Sequence, residues 1–111
     1  ADKLETLADE LRARHRVQVE TWPCDLVNRG ARAVLAADLA SREIHTLVNN
    51  AGFGSIGDFT DLPQERISAE VELNVVALTD LTRTVLPGMR QRDRGAVINI
   101  ASTAASLHHI P

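Results

Sequence analysis

Leu47-Val48-Asn49-Asn50-Ala51-Gly52 is a short apolar run that stops in two amides and then in two residues with almost no side chain. A run of that length reads as a buried strand giving way to a loop. Asn49 and Asn50 supply donors and acceptors at the exit, and Gly52 removes the side chain that would keep a ligand off the backbone. In an open parallel sheet that carboxyl edge is where ligands sit. Two residues downstream fit the same cleft: Asn74 within a long amphipathic segment, and Ser102 ending a second apolar strand.

Moving outward, the segment from about Asp61 to Gln91 carries Ile67, Val71, Asn74, Leu78, Leu81, Val85 and Met89 at steps of three or four. That spacing predicts one face of a long helix, with Pro63 in its first turn and Pro87-Gly88 kinking or loosening its end. Arg90 to Gly95 reads as a charged turn. Ala96 to Ser102 is a last strand, nearly all apolar, as strands covered on both faces are. The tail to Pro111 reads as loop.

On the other side of the hexapeptide, Ala31, Val34, Leu35 and Leu39 give a helix its buried stripe, capped by Asn28 or Asp25. Val17 to Trp22 alternates as a strand that Pro23 ends. Leu4, Leu7, Ala8 and Leu11 mark an amphipathic opening helix. Helix and strand alternate with connections too long for hairpins, which predicts βαβ units and an α/β fold with a parallel sheet.

The 111 residues, 44% of them hydrophobic, suffice for one domain with a modest core. A net charge of −3 with scattered basic residues argues against a nucleic-acid surface. No apolar stretch approaches the roughly 20 residues a bilayer span needs, and no signal-peptide pattern opens the chain. One cysteine, Cys24, cannot form an internal disulfide, so a reducing, cytoplasmic compartment is expected.

Asn74 lies in an apolar stripe, where an unpaired amide costs about 1–3 kcal/mol. Something must satisfy it, and a nearby backbone group or a buried water is the plain candidate. Ser102 reads either as a turn former or as a group at the ligand edge. Gly52, Gly54 and Gly57 spell G-x-G-x-x-G after a strand. Asp58 to Leu62 intervene before the helix, however, so the match to a dinucleotide fingerprint is a decoy. Asp25 is placed either to accept from a ligand amine or to cap the following helix. His108-His109 lacks a second cluster, and no metal site is expected. Cys24 reads as a small apolar filler.

LVNNAG, then ELN in the next helix, then AVINIAS with its terminal serine resemble, in that order and spacing, the central part of the short-chain dehydrogenase/reductases. The likeness covers essentially all of the chain. It implies a doubly wound, Rossmann-like parallel sheet in three α/β/α layers, incomplete here. It implies NADP or NAD as cofactor, an alcohol or ketone as small-molecule substrate, and hydride transfer between them without metal. By the resemblance Asp25 and Leu26 contact the adenine ring, and Asn50, Ala51 and Gly52 pass along the cofactor ribose. Asn74 matches the catalytic asparagine that holds a proton-relay water, and Ser102 the catalytic serine that binds the substrate oxygen. Members commonly pair through the long helix, so Leu73, Val75 and Leu86 are the candidate surface of a homodimer or homotetramer. A dinucleotide-binding regulator without chemistry, or a scaffold domain without cofactor, are the rival readings.

The family's glycine-rich turn would precede Ala1 and its Tyr-x-x-x-Lys pair would follow Pro111. The chain has no tyrosine, and its one lysine is Lys3. Residues 1–111 are thus expected to be a partial NAD(P)-binding domain, from the third to the fifth strand, inactive and unstable alone. In a sheet of order 3-2-1-4-5-6 the strand at Val17 would have no neighbour.

Overall fold

The computed structural model describes residues 2–102. α1 (Asp2–His15) has Asp2 and Glu5 in its first turn and Arg12, Arg14 and His15 in its last, complementing the helix dipole at both ends. Arg16, in the left-handed region at φ 52°, ends it. Ala8 is buried, but Leu4 and Leu7 remain exposed.

Residues 17–25 enter neither helix nor sheet. The strand expected at Val17 to Trp22 is therefore absent as a ladder element among the described residues. Arg12 donates to the Val19 carbonyl and Thr21 to Glu5, so the segment is tied back onto α1.

Asp25 forms a tight turn, its Oδ1 accepting from the Val27 N–H at 3.1 Å and its carbonyl from the Asn28 N–H at 3.0 Å. Asn28 is the N-cap of α2 (Arg29–Ala40), its Oδ1 accepting from the Ala31 N–H at 2.9 Å. The stripe within α2 differs from the expected one. Val34 is 63% exposed, and the buried residue is Arg32.

β1 (Thr46–Asn49) and β2 (Ala96–Asn99) pair in parallel, from Thr46 opposite Ala96 to Asn49 opposite Asn99. The Ile100 N–H donates to the Asn49 carbonyl at 3.0 Å, carrying the ladder one step further. β2 is shorter than the expected 96–102, so Ser102 lies three residues past its end rather than closing it. Leu47, Asn49 and Val97 are half-buried, whereas Val48 and Ile98 alternate onto an exposed face.

Between the strands, a short 3₁₀ turn at Phe59–Asp61 leads to a continuous helix of three parts: α3 (Gln64–Val71), a π turn (Glu72–Ala77) and α4 (Leu78–Arg92). Ala77, Leu81, Val85 and Met89 are buried at steps of four and form most of the core. Pro87 lies inside the helix, which runs on past it to Arg92, close to the expected end at Gln91. Pro87 and Arg83 are both exposed, so water can serve the carbonyl that proline leaves without a donor. The helix stops at Asp93, left-handed at φ 53°, with the Arg94 N–H returning to the Met89 carbonyl at 3.0 Å. Arg92 donates to the Ile44 carbonyl at 2.8 Å, fixing the helix end beside the entry to β1.

Candidate functional site

Because the strands are parallel and in register, residues 50–52 and 100–102 leave the sheet side by side at its carboxyl end. Asn49 secures that edge. Its Nδ2 donates to Asn99 Oδ1 across the pair at 3.0 Å and to Thr82 Oγ1 of α4 at 3.1 Å. One amide thus joins both strands to the helix above them.

Asn74 is the third residue of the π turn, a helical irregularity that recurs at functional sites. Its side chain is exposed and not part of the buried stripe, yet both of its polar atoms are bonded to the protein, each with capacity for one further bond. Asn74 Oδ1 accepts from the Phe53 N–H at 3.1 Å, and Nδ2 donates to the Phe53 carbonyl at 2.8 Å. The required partner is therefore the backbone of the loop leaving β1. Gly52 answers to the same contact: a Cβ there would stand 2.9 Å from Asn74 Oδ1. The space beside Gly52, expected to admit a ligand, is filled by Asn74.

Leu26, Asn50 and Ala51 line one cavity of about 80 Å³ together with Leu47, Leu73 and Leu78. Leu73, expected on the outer face of the long helix, points here instead. Leu73 stands four residues before Ala77 and so continues the buried series Ala77, Leu81, Val85, Met89 backward by one step. Ser102 is exposed beyond β2. His108 and His109 lie outside the described residues.

The G-x-G-x-x-G match leads into the short 3₁₀ turn at Phe59–Asp61 and not into an α-helix. Gly57, at φ 130°, sits in a loop well ahead of Gln64. That loop is instead clamped to α3. Arg66 donates to Ser55 Oγ at 2.9 Å and to the Gly54 carbonyl at 3.1 Å, Ser55 donates to Glu70 at 2.8 Å, and the Arg66 guanidinium lies 5.1 Å from the Phe53 ring centre.

Sequence reasoning missed a charged cluster behind the site. Arg32 donates to the Leu26 carbonyl at 2.7 Å, to Glu72 at 2.9 Å and to Asp80 at 2.8 Å. Arg29 engages the other Glu72 oxygen at 2.9 Å. The Arg29 hydrogen bond is the main cause that holds the Glu72 carboxyl below its ordinary pKa, with Arg32 reinforcing it against partial desolvation. Arg32 and Glu72 are 40 positions apart, so no local pattern joins them. The one signal was an arginine amid alanine, valine and leucine.

The family profile described as short chain dehydrogenase matches residues 1–110. A very-long-chain 3-oxoacyl-CoA reductase of Bos taurus is 32% identical over 99% of this chain and 36% of its own length. The NADP-dependent 3-hydroxy acid dehydrogenase YdfG of Salmonella typhimurium is 38% identical over 95% of this chain and 42% of its own length. Among solved structures, a short-chain dehydrogenase from Sphingobium yanoikuyae in complex with NADPH superposes with a TM-score of 0.90 at 34% identity, covering 95% of this chain and 41% of that one. L-sorbose reductase from Gluconobacter frateurii, complexed with NADPH and L-sorbose, gives 0.86 at 31% identity over the whole chain and 44% of that protein. The chain spans well under half the length of these relatives.

Proposed function

The chain belongs to the short-chain dehydrogenase family, and on that premise we propose that it is the middle portion of an NAD(P)-dependent oxidoreductase acting on an alcohol or carbonyl substrate. The observation that carries this reading is the two-way bond between Asn74 and Phe53, which holds a helix amide beside the carboxyl edge where Asn50 and Ser102 emerge. A scaffold has no need of that juxtaposition.

The residues fit a dinucleotide. Leu26, Ala51 and Leu73 offer apolar side chains to a flat ring, with the Asn50 amide among them. Asp25 Oδ1 is taken by Val27, while Oδ2 has no partner among the described residues and suits a ring amine. Asn50, Ala51 and Gly52 would run along the ribose. When bound, the nicotinamide supplies the hydride acceptor or donor. Asn74, fixed by Phe53, would orient a relay water, and Ser102 would hold the substrate oxygen by hydrogen bond. The tyrosine and lysine that complete this chemistry in the family have no counterpart in the 111 residues. We propose for the domain that residues 1–111 correspond to the third-to-fifth-strand part of a Rossmann-like domain, with the third-strand segment at Val17 to Trp22 outside the observed ladder.

We extend the proposal to assembly through the long helix as a homodimer or homotetramer. Val71, Val75 and Leu86, at 45–55% exposure, support it, and Leu73, turned inward, does not. The cytoplasmic placement rests on the unpaired Cys24. No helix among the described residues is long and apolar enough to cross a membrane.

Ser102→Ala in the full-length protein tests the catalytic reading. Turnover with NADPH or NADH should fall by orders of magnitude while cofactor affinity holds. Equal loss of both would make Ser102 structural and remove it from the mechanism.

A further inference from the structure

We propose that Arg32 is a positioning residue for the adenine side of the cofactor site: its buried guanidinium ties the Leu26 carbonyl to the helix bearing Leu73, setting the width of the cleft between those two side chains. This rests on the dinucleotide reading given above.

Three elements meet at one side chain that is only 4% exposed. Arg32 belongs to α2, Leu26 to the turn before it, and Glu72 opens the π turn. The three contacts, to Leu26 at 2.7 Å, Glu72 at 2.9 Å and Asp80 at 2.8 Å, use both terminal nitrogens of a planar fork. Arg29 grips Glu72 from its other oxygen, so the carboxylate is held on two sides. Leu73 follows Glu72 in the chain. Leu26 and Leu73 then line the same cavity with Asn50 and Ala51. Moving the guanidinium therefore moves one wall relative to the other.

Asn74 is anchored separately, through Phe53. The two ends of the site are thus held by different bonds, and loss of Arg32 should act chiefly on nucleotide affinity. Lysine cannot replace the fork, because a single ammonium does not present paired, coplanar donors to a carbonyl and two carboxylates.

The test uses the full-length protein with Arg32→Met and Arg32→Lys. Titration with ADP-ribose, which has the adenine half but no nicotinamide, and with NADPH and NADH gives Kd, alongside steady-state kcat and KM. The expected result is ADP-ribose binding weakened by about fivefold or more, with cofactor KM rising by a larger factor than kcat falls. Less than fivefold weakening in a folded variant, including a lowered Tm with Kd unchanged, overturns the inference. Should Arg32→Met fail to fold, Arg32→Lys and Glu72→Gln are judged on the same threshold. Wild-type protein that binds none of the three nucleotides would remove the dinucleotide reading itself, and this inference with it.

Discussion

Gly52 and Asn74 occupy adjoining space: a Cβ at position 52 would lie 2.9 Å from the Asn74 Oδ1 and 3.8 Å from its Cγ. The amide has little room to yield, because both of its polar atoms are bonded to Phe53. Gly52→Ala should open at least one of those bonds. The expected loss is about 1–2 kcal/mol in denaturant unfolding and about tenfold in kcat/KM of the full-length protein. In an Asn74→Ala background the same substitution should cost far less, since the colliding oxygen is gone. Additive losses in that double-mutant cycle would show that the two residues do not act on each other.

Asn49→Asp replaces a donor with a carboxylate facing Asn99 Oδ1 and Thr82 Oγ1. Thr82 already donates its own proton to the Leu78 carbonyl at 2.7 Å, so it can answer the new acceptor only by giving up that bond. The sheet edge should lose about 1–3 kcal/mol, read by urea unfolding, and the loss should shrink at a pH low enough to protonate the acid.

Glu72→Gln removes the charge shared by Arg29 and Arg32. The folded-state pKa of Glu72 is depressed, so its contribution to stability is fully present above the ordinary carboxylate pKa, about 4.3. It is lost as pH falls through the lower folded value. Wild type and Glu72→Gln should therefore differ by a constant margin in Tm near neutrality, converging below about pH 4. A gap that stays constant into strong acid would contradict the assigned cause.

Gly95→Ala tests the turn into β2. Its φ of 152° disfavours a side chain, and a Cβ there would lie 2.6 Å from Met89 Cγ and 2.7 Å from its sulfur. A loss of about 1–3 kcal/mol is expected, measured by thermal or urea unfolding. Pairing it with Met89→Ala should relieve the collision and leave only the backbone cost.

Elements with a strong local period were readable from letters alone. β1 at Thr46–Asn49, the cap at Asn28 and most of the long helix follow from spacing within a few residues. The phase of that helix was not. The buried face follows Ala77, Leu81, Val85 and Met89 in steps of four, which puts Leu73 at the cavity and leaves Val71 and Val75 more than half exposed, and the apolar letters fit that series and the expected one equally well. Arg32 was hidden for a different reason. Its worth depends on Glu72 and Asp80, which only the fold brings near, and an isolated arginine on a helix ordinarily means a solvated face. Asn74 lies between these cases: the expectation of a partner was met at the Phe53 backbone, but its stated ground, burial in an apolar stripe, was not, since Asn74 is exposed.

Every residue of β1 meets one that stands 50 positions later. The first ladder bond must therefore close a large loop, whose entropy is lost before any pairing enthalpy returns. The intervening helix eases that closure, because a rod of 29 residues from Gln64 to Arg92, roughly 43 Å long, replaces many flexible joints with a stiff arm. Strand pairing is thus expected to be the late, rate-limiting event in folding, with helix formation preceding it. Substitutions that weaken the rod should slow refolding more than they hasten unfolding.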